Sequence, residues 1–206
     1  MKRWVVGNWR QDRILSRVLR NSTYLFASYA LGAVLTFVTA RLLGVASFGA
    51  LGTVTVFTAN INRLFSFRMG DVVVKYVGEA LAQKDLPRAA AAAKAAMLVE
   101  ALTSLVAFAA LFFLAPVGAV YFVKDPASTP LFRIYGLAIL FNLVAESSMG
   151  ILQVTDHFKS QALISFLQTV LVAVLLGIAA ATGAGLMTVL WIYLVGKAIL
   201  GLGPMA

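Results

Sequence analysis

Long apolar runs separated by short polar gaps set the pattern of this chain. Residues 160–196 contain no charged side chain, enough for nearly two bilayer crossings at about 20 residues per helical span. Runs of the same kind predict six transmembrane helices, near residues 21–40, 50–70, 95–123, 131–154, 160–181 and 186–202. Gly44 to Gly49 reads as the turn between the first two, and Lys124 to Pro130 as a loop. Thr155 to Lys159 and Thr182 to Gly185 read as tight turns, and Pro116 predicts a kink in the third helix because its ring removes a helical hydrogen bond.

Two stretches break the pattern. Arg10, Arg13, Arg17 and Arg20 fall on one side of a helix, with Ile14, Leu15, Val18 and Leu19 largely opposite. This spacing predicts an amphipathic interfacial helix within a basic N-terminal segment, residues 1–20, ahead of the membrane region at 21–206. Residues 71–94 form the longest polar gap and read as a surface helix followed by a new helix start. Asp85 with Pro87 just behind it marks that start, because a carboxylate can cap the free N–H groups and proline is preset for the first turn.

Composition agrees with the pattern. Hydrophobic residues make up 61% of the 206-residue chain and charged residues 12%, and mean hydropathy is +0.92. A soluble domain needs about a quarter charged residues to cover its surface, so an all-α integral membrane protein is expected. The net charge is +9, and its distribution is informative. Fourteen of the 17 basic residues fall in gaps on one side of the six-span topology, leaving Arg41, Lys124 and Arg133 on the other. By the bias of Lys and Arg toward the cytoplasmic face, both termini are expected in the cytoplasm of a cell that holds the chain in its inner membrane. Anchoring to anionic headgroups accounts for this charge without nucleic acid. With no cysteine and one histidine, His157, thiolate chemistry and the usual zinc clusters are excluded. Eight dispersed acidic residues and the absence of a nucleophile or phosphate-loop motif argue against an enzyme, and no cofactor or metal is expected.

Polar residues inside apolar helices need a reason, since lipid offers them no partner. Ser28, Gly32, Thr36 and Thr39 share a stripe on the first predicted helix, and Thr55, Thr58, Asn62 and Ser66 share one on the second, with Asn60 and Arg63 beside it. Asn142, Glu146 and Gln153 align on the fourth, and Gln161, Ser165 and Gln168 on the fifth. Small and hydroxyl residues read most simply as close-packing positions, while Asn142, Gln161 and Gln168 suit either interhelical hydrogen bonds or a polar path. Glu100, a turn inside the third predicted helix, reads as a carboxylate that reaches the interface and stays solvated. Glu146 lies about 12 Å from the cytoplasmic end of its helix at 1.5 Å per residue, where an unpaired carboxylate costs about 2.5–3.5 kcal/mol. It is expected to hold a proton or cation, or to pair with Arg63 or Lys197. The candidate substrate or ion pathway is therefore Asn62, Arg63, Asn142, Glu146, Gln168 and Lys197.

Short motifs add a resemblance. Asn21-Ser22-Thr23-Tyr24 follows a basic elbow, Arg41-Leu42-Leu43-Gly44 precedes Phe48-Gly49, and Met69-Gly70 leads to Val74-Lys75-Tyr76-Val77. The chain from about residue 21 onward resembles the N-terminal part of polysaccharide-biosynthesis flippases, the polysaccharide-transport branch of the MOP (multidrug/oligosaccharidyl-lipid/polysaccharide) exporter superfamily. The resemblance implies a lobe that, with a second lobe facing it, flips a polyprenyl-pyrophosphate-linked oligosaccharide across the membrane for surface polysaccharide or lipopolysaccharide assembly. It also implies that basic residues in the central cavity attract the pyrophosphate, with Arg63 first and Lys197 second. Family members carry two such lobes of about six helices each, so this chain is expected to be a truncated half, or to pair with its own copy or a separate chain. A cation-coupled multidrug antiporter half and a non-transporting membrane scaffold are the alternatives.

Overall fold

The computed structural model describes residues 13–205. Arg10 lies outside the described residues, as do the side chains of Arg13, Arg17, Arg20 and Ser28, so neither the basic face of the predicted interfacial helix nor the Ser28 stripe position is characterised. The described chain is helical, with no β-strand. In order come α1 (Arg13–Phe65), α2 (Met69–Ala82), α3 (Leu86–Val117), a π-helical turn (Gly118–Val123), a 3-10 turn (Pro126–Ser128), α4 (Thr129–Phe141), α5 (Ala145–Val154), α6 (Phe158–Ala181) and α7 (Leu186–Leu202), closed by a 3-10 turn (Gly203–Met205).

Among the described residues, four helical stretches are long and apolar enough to cross a membrane: Tyr29–Phe65, Leu86–Val123, Pro126–Val154 and Phe158–Ala181. Leu186–Leu202 is apolar but shorter. The outside of the bundle is correspondingly greasy, with Phe26, Tyr29, Phe37, Val45, Phe113 and Tyr121 exposed. The protein is a multi-pass membrane protein whose surface is solvated by lipid.

The predicted boundaries hold at several positions. Asp85 caps α3 through a hydrogen bond from the Arg88 N–H to its Oδ1 (3.0 Å), with proline in the first turn. The polar gap holds the separate helix α2, and α7 occupies the predicted residues. Three features differ. α1 runs without interruption past residue 20, so no break separates an interfacial helix from the first predicted span. In place of a turn over Gly44 to Gly49, Gly44 alone leaves helical geometry, at φ 72 and ψ 172. Only glycine tolerates that backbone at no steric cost. The third difference is that predicted helix four is two helices, α4 and α5, separated at residues 142–144.

Besides a small one that joins Ile61 of α1, Ala107 and Leu111 of α3 and Ile139 of α4, two apolar clusters organise the bundle. The larger joins Leu51 and Val54 of α1, Phe132 and Tyr135 of α4, Val172 and Leu176 of α6, and Val189 and Leu190 of α7. Residues before Gly44 (Leu35, Leu42, Leu43) and after it (Phe57) pack on this same cluster, so both segments of α1 lie against it. The smaller cluster joins Val73, Val77 and Ala80 of α2 to Ala89 and Ala96 of α3, with Ile151 and Val154 of α5 against them. Glycines set the closest approaches. A Cβ on Gly201 of α7 would strike the Phe141 carbonyl at the end of α4, and one on Gly150 of α5 would sit 2.9 Å from the Gly70 carbonyl oxygen.

Gly201→Val should therefore lower the thermal stability of the purified protein by about 1–3 kcal/mol, the usual cost of overpacking. Gly52→Ala, which meets nothing within 4 Å, should be neutral or stabilising by up to about 1 kcal/mol, because a helical glycine is replaced without a clash. Melting curves of the two variants in one detergent compare them directly.

Candidate functional site

The interruption between α4 and α5 creates the site. A helix that starts inside a bundle presents free N–H groups that lipid and apolar side chains cannot satisfy. Here α3 supplies the partner. Glu100, 5% exposed, accepts the Glu146 N–H at Oε1 (2.8 Å) and the Ser147 N–H at Oε2 (2.9 Å). Both oxygens of one carboxylate thus cap α5 from a neighbouring helix, and the positive end of the helix dipole favours the charge. Glu100 is buried by protein, in contrast to the solvated interfacial position expected from its place in the sequence. The expectation failed because α5's free N–H groups come from a break elsewhere in the chain, of which the α3 sequence carries no sign.

The same break repositions Glu146. As the second residue of α5 it stands in a first helical turn, where a carboxylate is favoured by the dipole. Its Oε1 accepts a hydrogen bond from Ser66 Oγ (3.0 Å) at the end of α1, and Ser66 Oγ also accepts the Arg68 N–H (3.3 Å). Neither Arg63 nor Lys197 pairs with it. Arg68 pairs instead with Asp71 (3.0 Å), and Arg88 with Glu79 (3.7 Å).

Cavities open on both sides of this joint. One of about 320 Å³ is bordered by Asn62, Ser66, Glu100, Ser104, Asn142 and Glu146. A larger one of about 480 Å³ is bordered by Thr58, Asn62, Arg63, Asn142, Glu146 and Lys197, with Tyr135. Five of the six sequence candidates therefore share one cavity, and the polar stripe on the second half of α1 faces the polar residues of α4 and α5. Thr58, buried to 4% exposure, has no hydrogen-bond partner for its hydroxyl. Gln168 does not border this cavity. It lies against Gly196 of α7, where its Nε2 would be 2.8 Å from an added Cβ. Gln153 joins Glu146 at a third opening of about 250 Å³, with Arg68 and Asp71.

The stripe on the first half of α1 does not reach the cavity through its described side chains. Thr36 bonds the carbonyl of Gly32 within its own helix (2.9 Å), and buried Thr39 meets the Tyr193 hydroxyl (3.2 Å). The Thr39–Tyr193 contact packs α1 on α7, as hydroxyl residues on membrane helices often do, whereas exposed Thr36 is satisfied within its own helix. Among the described residues no group of three or more His, Cys, Asp or Glu could hold a metal ion.

The sequence profile of a family described as polysaccharide biosynthesis protein matches residues 15–206, nearly the whole chain. The chain belongs to that family, as its motifs suggested. No curated protein and no solved structure matches it at significant similarity.

Removing the two carboxylates should have unequal effects. Glu100→Leu leaves two buried N–H groups without partners and should destabilise the protein by about 2 kcal/mol or more, at about 1–3 kcal/mol per orphaned group. Glu146→Leu removes one partly buried hydrogen bond and should cost about 1 kcal/mol. Thermal melts give the ranking, and faster amide exchange at Glu146 and Ser147 in the Glu100 variant would identify its origin.

Proposed function

We propose that this member of the polysaccharide biosynthesis protein family is a lobe of a flippase that moves a polyprenyl-pyrophosphate-linked oligosaccharide across the cytoplasmic membrane. One observation carries the reading. Arg63 and Lys197 border the same cavity without an ion pair or hydrogen bond to any described residue. Cations on membrane-embedded helices are costly unless a ligand, water or counter-charge attends them. Here they stand beside amide and hydroxyl groups (Asn62, Asn142, Thr58) that suit a sugar's hydroxyls. Two cations meeting an anionic headgroup, with neutral hydrogen-bonding groups around them, match a pyrophosphate carrying a glycan. The cavity is also of the usual ligand-binding size, about 300–1,000 Å³.

The topology proposed with this function has six spans. The stretch Tyr29–Phe65 is 37 residues long, about 55 Å as a helix, against a hydrocarbon core of about 30 Å. Division at Gly44, with both segments packed on one cluster, turns it into two crossings. α7 supplies the sixth, extended by the 3-10 turn to Met205. The basic residues around Arg63 to Lys94 then face the cytoplasm with both termini. The lobe faces a second lobe, from its own copy or a separate chain, across the substrate path, and access alternates as the two rock.

The test uses cells whose own flippase gene is deleted and which carry the full-length reading frame. Arg63→Gln and Lys197→Gln should each reduce surface polysaccharide by about tenfold or more, since a charge-assisted contact of about 1.4 kcal/mol is worth a factor of ten. Arg63→Lys should retain more than Arg63→Gln, and Gln168→Ala should remain near wild type. Unchanged polysaccharide in both neutral variants, at equal protein level in the membrane, would replace this reading with that of a non-transporting scaffold.

A further inference from the structure

Two helices are interrupted where they touch. α1 ends at Phe65, the chain leaves helical geometry over residues 66–68 with Arg68 left-handed (φ 51, ψ 52), and α2 begins at Met69. α4 ends at Phe141, residues 142–144 form a turn with Val144 at φ −141 and ψ 18, and α5 begins at Ala145. Ser66 and Glu146 bond across the two interruptions (3.0 Å), and Gly70 packs so closely that an added Cβ would lie 3.0 Å from the Glu146 carbonyl oxygen. Past this joint, α2, α5 and the first part of α3 share their own apolar cluster, separate from the one that unites α1, α4, α6 and α7. The molecule thus has two packed blocks connected by three non-helical links, at residues 66–68, 142–144 and 155–157, and by the continuous α3. An open cavity of about 320 Å³ lies beside the joint, with Glu100 on its wall.

We infer that Glu100 is a proton-operated latch, whose ionised carboxylate holds α5 in place and whose protonation frees the α2–α5 block to swing on its three non-helical links. The chemistry is one of donors and acceptors. An ionised carboxylate has two accepting oxygens, and here each takes one N–H of α5. A protonated carboxyl loses its charge, and its hydroxyl oxygen becomes a poor acceptor whose O–H needs a partner of its own, so it holds two N–H groups much less well. Binding the proton therefore weakens the hold on α5. Motion has the features it needs: links that are already non-helical, a cavity on one side, and glycines at the α2–α5 crossing, whose contact with each other is backbone on backbone.

Other charges surround the latch. Glu146 on α5 is the other ionisable group on the wall of the same cavity. Arg63 of α1 and Lys197 of α7 border the adjoining cavity together with Glu146. Arg68, on the 66–68 link, is paired with Asp71 of α2 (3.0 Å), and Lys94 precedes Glu100 on α3. Glu146 is thus the main competitor as the group that senses a proton, and the test must separate the two carboxylates.

The latch concerns conformation and needs no substrate, so its failure and that of the transport reading are distinguishable. The chain has no cysteine, so Val74→Cys on α2 and Val174→Cys on α6, both exposed, can be spin-labelled in the full chain in lipid nanodiscs. Pulsed dipolar spectroscopy then reads the distance between the blocks from about pH 9 to about pH 5, a range that brackets ordinary and buried carboxylates. The wild type should show one distance at alkaline pH and gain a second population on acidification. Glu100→Gln, whose amide N–H₂ opposes a backbone N–H as a protonated acid would, should show the second population at every pH. Glu146→Gln should keep the wild-type response. A wild-type distance that does not change with pH would overturn the inference even if Glu100→Gln failed to fold. So would a response that persists in Glu100→Gln, or one lost only in Glu146→Gln.

Discussion

An α-helix that begins within a bundle must find partners for its first N–H groups, and the way this protein meets that demand determines the rest of its site. Glu100 spans from α3 to the first two N–H groups it can reach on α5. Because a single carboxylate satisfies both, the chain can interrupt its fourth apolar segment without leaving the backbone unpaired. The interruption places Glu146 in a first helical turn, beside Ser66, where the helix dipole favours a second carboxylate. Without the cap, a break at residues 142–144 would leave polar backbone facing an apolar interior.

Supports around the break are small residues from other helices. Gly201 of α7 lets that helix press on the Phe141 carbonyl, and Gly70 and Gly150 bring α2 and α5 into backbone contact. Helix association in a membrane depends on such close packing, since lipid and apolar side chains are equally greasy. Polar atoms then collect where helices end or break. Asn62, Ser66, Asn142 and Glu146 lie at the end of α1 and at the α4–α5 break, and the cavities open between them. Arg63 and Lys197 enter the same space from two other directions, which gives a charged chamber at the joint between the two packed blocks.

Much of this was legible in the residues. The apolar runs placed the helices apart from the Gly44 division and the α4–α5 break, and Asp85 and Pro87 marked the start of α3. Polar spacing placed Asn62, Asn142 and Glu146 on faces that meet at one cavity, which Arg63 and Lys197, charges inside apolar runs, also border. Gln168 had equally regular spacing, yet its helix turns that residue toward Gly196. Periodicity says which residues share a face of a helix. It is silent on which helix that face meets.

Glu100 marks the boundary most clearly. Its immediate neighbours are apolar and only Thr103 and Ser104, one turn on, share its polar face, so by itself it reads as a carboxylate seeking water. Its partners lie 46 and 47 residues away, on a helix whose beginning no capping residue announces, because Val144 precedes it. The sequence alone determined a basic, multi-pass helical membrane protein and the side chains available to a polar chamber, since hydropathy and charge act locally along the chain. Tertiary structure alone decided where the fourth segment breaks, which carboxylate caps it and which polar faces meet. Those outcomes depend on unsatisfied backbone groups finding partners on other helices, and local pattern does not encode that pairing.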